Sequence, residues 1–218
     1  MTMIRTLEEL NDSLSADLAW RKKELSILKS LVETAATSSS KEKALLRCGT
    51  AILYAHWEGF IKTSSSHYLE FIARKQLRYT ELSSNFVALA FKSKLKQVHE
   101  TNKATIFTEV VDFIRFQLNE RSSVPYKDEI QTGSNLSSST FKEIVCVLGL
   151  DYSLYETKQI LIDEKLLARR NKIAHGEYLQ SLQLDKQDYL ELHSQIIEIM
   201  EHFRTQIENC AACKSYRC

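Results

Sequence analysis

The feature that most narrows what this chain can fold into is the stretch from Lys41 to Lys75, its longest periodic run, broken only by Gly49 and Gly59. Serines at positions 39 and 40 stand before it as helix N-caps. On a helical wheel Leu45, Gly49, Ile52, Leu53, His56, Phe60, Thr63 and His67 share one broad face, and Arg47, Ala51, Tyr54, Glu58 and Ile61 gather on the other. With apolar groups on both faces, the helix is expected at the centre of the molecule. The two glycines then allow neighbouring helices to approach closely, and buried Tyr54 and Glu58 would need polar partners.

The rest of the chain agrees with an all-α fold. A single proline and five glycines in 218 residues leave few breakers for hairpins. Leu7, Leu10, Leu14, Leu18, Leu25, Leu28 and Val32 predict a first helix over about 4–33. Two helices are expected between Tyr79 and Arg121, broken at Thr101-Asn102. Residues 122–139 hold the only proline, Pro125, with Gly133 and six serines, and read as a loop with a short strand pair that can sit over a site. Ser137 or Ser138 caps the next helix, which ends near Gly149. A further helix runs from about Leu154 through His175, and a final one, capped by Asp185, to about Cys210. The expectation is one domain over 1–209 and a flexible cysteine-bearing tail over 210–218.

Net charge is only +1, so a nucleic-acid surface would have to come from local segregation. Lys62, Arg74, Lys75, Arg78, Lys92, Lys94, Lys96 and Lys103 outweigh Glu70, Glu81 and Glu100, whereas the stretch from Glu177 to Glu208 is acidic. Lys92, Lys94, Lys96 and Lys172 are the candidate RNA-binding cations, although lysines at irregular spacing commonly form a solvated face. The five cysteines include Cys210-x2-Cys213, half of a zinc-like spacing with no second pair to complete it, so neither a metal nor another cofactor is expected. With no signal peptide and no long apolar run, a reduced, cytoplasmic protein is expected.

The chemistry concentrates in Arg169-Arg170-Asn171-Lys172-Ile173-Ala174-His175-Gly176-Glu177-Tyr178. Arginine is permanently charged and its planar fork can clamp a phosphate. Histidine can give and take a proton near neutrality, as cleavage of RNA by its own 2′-hydroxyl requires. Arg170, four residues, then His175, set in RNKIAHGE, resembles the Arg-x4-6-His signature of the HEPN superfamily. LLRCGTAILYAHWEGFIK, Leu45 to Lys62, is similar to an early helix of one prokaryotic HEPN branch, and SNLSSSTFKEIVCVLGL, Ser134 to Leu150, resembles its middle segment. The likeness runs from about Leu45 to about Ile207.

The resemblance implies a HEPN-like helical bundle and a metal-independent endoribonuclease, a toxin or phage-defence effector acting as a homodimer, with a cognate antitoxin or defence partner. His175 would act as general acid or base, Arg170 would stabilise transition-state charge, and Asn171 would orient the imidazole or bind a phosphate oxygen. Tyr54, Glu58, Arg169, Glu177 and Tyr178 are supporting candidates. In toxins of this kind that are controlled by a nucleotidyltransferase, a modifiable tyrosine follows the motif histidine by two positions. Glu177 stands there in this chain, with Tyr178 one position later. The alternative is a HEPN module that binds nucleotide, RNA or a partner protein without cutting.

Spacing poses a geometric question. In a straight helix Arg170 and His175 point about 140° apart. They can meet on one phosphate if the helix ends before His175 with Gly176 as its stop, if the long arginine wraps around, or if the two groups come from different subunits.

Overall fold

The computed structural model describes residues 3–100, 103–177 and 184–218, the side chains of 93–100 excepted. Among the described residues seven α-helices follow in order: α1 (Leu7–Thr34), α2 (Ser40–Lys75), α3 (Ser84–Glu100), α4 (Ala104–Asp112), α5 (Ser138–Val147), α6 (Arg169–Ala174) and α7 (Lys186–Ala212). The fold is all-α. Among the described residues β-structure is limited to isolated bridges, Arg78 with Arg121 and Leu82 with Arg217, so the loop after α4 carries no strand pair of its own.

The long helices start where short polar side chains can satisfy their free N–H groups. Thr6 and Glu9 form a reciprocal capping box at α1, Ser39 accepts from Glu42 N at α2, Ser137 from Thr140 N at α5 and Asp185 from Asp188 N at α7. Gly149, at φ +68°, stops α5, with its amide bonded to Cys146 O and that of Leu150 to Val145 O.

Helix α2 is central, packed against both α1 and α7. Its two glycines mark the closest approaches. A Cβ at Gly49 would lie 2.7 Å from the Tyr189 hydroxyl of α7, and one at Gly59 2.7 Å from Arg21 Nη1 of α1. Arg21, itself buried, pairs with Asp17 at 2.9 Å, and buried His56 pairs through Nε2 with Glu24 at 2.9 Å. Trp57, fully buried on α2, meets Phe141 of α5 edge-on at 4.9 Å, and Phe141 in turn packs on Tyr155 and Phe203. This aromatic cluster joins the middle segment to the α1–α2–α7 core.

Two sequence expectations are corrected. The helix expected to run unbroken from Leu154 through His175 changes geometry twice: a 3-10 segment, Ser153–Lys158, then a π-helical segment, Leu161–Ala168, and only then α6. The wider coil leaves Leu161, Ile162 and Leu166 buried while Asp163 reaches the Ser138 amide at 2.7 Å. The tail over 210–218 is docked, not flexible. Cys210 and Ala211 belong to α7, Lys214 at φ +56° turns the chain back, and the buried Tyr216 ring meets Phe71 edge-on at 5.9 Å. Tyr216 O also accepts from Ser83 N at 3.0 Å.

Candidate functional site

The motif helix α6 ends before His175, one of the three ways the sequence left open for Arg170 and His175 to meet. Ala174 is its last residue and His175 its C-cap, at φ −83° and ψ 4°. Gly176 adopts φ +76°; its amide bonds to Ile173 O at 3.1 Å and the Glu177 amide to Lys172 O at 2.9 Å. This paired pattern satisfies the last carbonyls of the helix and needs a residue that tolerates the left-handed region. It leaves the His175 side chain exposed.

Arg170 is held quite differently. Its guanidinium carbon lies 3.9 Å from the centre of the Tyr54 ring, and Nη2 donates to Ser134 O at 2.7 Å and to Asn135 Oδ1 at 3.0 Å. Stacking on an aromatic face together with two hydrogen bonds fixes the plane of the fork. Nε of the same group is buried without a hydrogen-bond partner. The buried Tyr54 hydroxyl accepts from Leu136 N at 2.6 Å. Burial pushes the Tyr54 hydroxyl above its ordinary pKa, and nearby Glu58 adds to this, while the Leu136 amide and Arg170 oppose it. Tyr54 is therefore neutral at physiological pH, an aromatic platform and not an anion.

The loop expected to sit over a site thus does reach it, through Ser134, Asn135 and Leu136. All three open the stretch likened above to the middle segment of the family, but no contact with the motif was legible there.

The other candidates scatter around this centre. Arg169 lies on a different side of α6 and faces α7, with Nη2 3.9 Å from Asp188 Oδ2. Asn171 is half-buried and its carbonyl accepts the His175 amide at 2.9 Å. Lys172 is half-buried, and its described hydrogen bond is through its carbonyl. Glu58, half-buried one turn after Tyr54, forms no ion pair among the described residues. The Glu177 side chain is exposed, and its backbone does the bonding. Lys92 is paired with Glu129 of the loop at 2.6 Å, away from the motif. Lys94, Lys96 and Tyr178 lie outside the described residues or side chains.

One residue was missed by sequence reasoning. Arg47, on the first third of α2, donates through Nη1 to Glu177 O and through Nη2 to Ile173 O at 3.4 Å. An arginine on a mixed helix face gives no sign that its partners are backbone carbonyls 126 and 130 positions later.

A separate cleft of about 660 Å3 lies along α2, lined by Lys62, His67, Arg74 and Tyr126 among others, and does not include Arg170 or His175. Among the described residues no group of His, Cys, Asp or Glu is arranged to hold a metal ion, and no helix is long and apolar enough to cross a membrane.

No curated protein and no solved structure matches the chain. Residues 10–216 match the family described as HEPN_MAE_28990-like HEPN, a span that takes in α2, the loop, the motif helix and all of α7. The chain belongs to the HEPN superfamily, in its MAE_28990-like family.

Proposed function

We propose that this HEPN protein is an endoribonuclease that cuts RNA by attack of the 2′-hydroxyl on the adjacent phosphorus, and that it acts as a homodimer, as a toxin or phage-defence effector. The observation that carries this reading is the contrast within five residues of the motif: His175 stands exposed at a glycine-stopped helix end, while Arg170 is locked in plane over Tyr54.

In the reaction the 2′-oxygen forms a bond to phosphorus as the bond to the 5′-oxygen breaks. A base takes the 2′-hydroxyl proton and an acid supplies one to the departing 5′-oxygen, leaving a 2′,3′-cyclic phosphate and a 5′-hydroxyl. His175 serves in proton transfer, since an imidazole can exchange a proton near neutral pH. Arg170 offsets the negative charge that gathers on the phosphoryl oxygens, an effect strongest for a donor held in place before the reaction begins. Asn171 supports the imidazole or a phosphate oxygen.

Two features of the geometry support the dimer. On an ideal helix the two groups point about 140° apart; α6 ends at Ala174, which leaves His175 exposed at its cap, while Arg170 is tied down towards the loop, so it does not wrap round to His175. A composite site with Arg170 of one protomer and His175 of the other resolves this. The test is to mix Arg170→Ala and His175→Ala proteins under conditions of subunit exchange. A composite site predicts that the inactive parents regain RNA cleavage on mixing, because the mixed dimer keeps one intact Arg170–His175 pair. Sites contained within single protomers predict no recovery. Wild-type protein that binds RNA without cutting it would favour the non-catalytic module instead.

A further inference from the structure

Helix α6 has six residues, too few to hold its shape alone. Its C-terminal carbonyls carry the negative end of the helix dipole, and His175 projects from the turn they form. What fixes that turn against the body of the protein is therefore a question about the neighbouring helix.

The answer lies on one face of α2. Arg47 and Tyr54 are seven positions apart, two helical turns, so they point the same way about 10 Å from each other. Tyr54 supports the Arg170 guanidinium, and Arg47 reaches the carbonyls of Ile173 and Glu177, which flank His175 on either side. Arg170 and His175 are themselves five positions apart, about 7.5 Å along a helix. The long, buried α2 thus holds both ends of the short motif helix at set places along its own axis.

We infer that Arg47 is a positioning residue for His175, clamping the helix-ending turn so that the imidazole is presented at a fixed place relative to the Tyr54-held Arg170. The inference rests on the nuclease reading above. The arginine fork is suited to the task because one planar group can donate from two nitrogens to two carbonyls, whereas a lysine ammonium is a single point. The cation also complements the negative end of the α6 dipole. Among the described residues Arg47 binds backbone oxygens of the motif, so its place is to act through His175.

The experiment compares wild type with Arg47→Ala, Arg47→Lys and Lys43→Ala, the last an exposed cation one turn earlier on α2 that serves as control. Two quantities are read. The first is hydrogen exchange at the Gly176 and Glu177 amides, which does not depend on any activity. The second is RNA cleavage, resolved into kcat and KM. Arg47→Ala is expected to release exchange at those two amides and to lower kcat by about a hundredfold, as a misplaced catalytic group does, with KM changed less than threefold or so. Arg47→Lys should recover part of kcat, and Lys43→Ala should match wild type in both readouts. Exchange and kcat unaltered in Arg47→Ala would overturn the inference. So would a loss confined to KM, which would make Arg47 a substrate-binding cation, or a kcat loss that tracks global melting alone. A wild-type protein that does not cleave RNA, but whose Gly176 and Glu177 amides still open in Arg47→Ala, would sink the nuclease reading and leave the clamp as a structural fact without a catalytic role, which also overturns the inference.

Discussion

The guanidinium of Arg170 stacks on the ring of Tyr54 at 3.9 Å, joining the motif helix to the centre of the longest helix in the fold. Tyr54 is also bound through its hydroxyl to the Leu136 amide, so one side chain fixes both the arginine and the loop that the arginine touches. Tyr54→Phe keeps the ring and leaves the Leu136 amide unpaired, and it is expected to cost about 1–3 kcal/mol in urea denaturation. RNA cleavage should survive that change. Tyr54→Ala removes the platform as well, so a cleavage defect beyond the loss of stability is expected only there.

Gly49 gives a second check on the central position of α2. Its absent Cβ makes room for the Tyr189 hydroxyl and ring, so Gly49→Ala should destabilise by about 1–3 kcal/mol through overpacking. The Tyr189 hydroxyl is buried without a partner. Tyr189→Phe is therefore expected to be neutral or slightly stabilising, contrary to the usual cost of altering a core residue. Denaturant midpoints of the two variants measure both effects.

The C-terminal segment supplies a prediction against the sequence-based expectation. Tyr216 is buried against Phe71, and Leu82 bridges Arg217, so Tyr216→Ala should cost about 3–5 kcal/mol, as other large-to-small aromatic changes in cores do. A truly flexible tail would show no change in thermal melting.

Much of this arrangement was legible in the sequence because local chemistry specifies it. Ser39, Ser137 and Asp185 are helix caps with short-range partners, and Gly149 and Gly176 stop helices by adopting a conformation other residues resist. The docked tail was hidden because its turn uses Lys214 instead of glycine, and because Tyr216 finds its place through contacts with residues far away in the chain. The π-helical segment before Arg169 was hidden too, since a wheel drawn at α-helical spacing assumes the geometry it is meant to test. Arg170 and His175 were identified by type and spacing, but the opposite way in which they are held, one locked and one exposed, depends on Tyr54, Asn135 and Arg47.

Two buried histidines, His56 and His193, and the half-buried His67 set a pH dependence. Burial lowers the pKa of His56, His67 and His193 below the usual histidine value. Glu24 opposes this at His56, Asp17 and Glu70 oppose it at His67, and at His193 Lys29 reinforces it while Glu33 opposes it. The unfolded chain binds protons more readily at these sites, so their contribution to stability is complete above about pH 6.5 and is lost as pH falls from there through their lowered folded-state values. Urea midpoints should drop between pH 8 and pH 5.5, and His193→Leu should reduce that drop. A midpoint independent of pH in this window would contradict the removal of these rings from water.

The central claim is that His175 and Arg170 together cut RNA, and the most direct measurement is the chemistry of the fragment ends. Purified protein incubated with RNA in EDTA should yield fragments with 2′,3′-cyclic phosphate and 5′-hydroxyl termini, with His175→Ala and Arg170→Gln each at least about a hundredfold slower at unchanged fold. Intact RNA with the wild-type protein, or equal cleavage by wild type and His175→Ala, would contradict it.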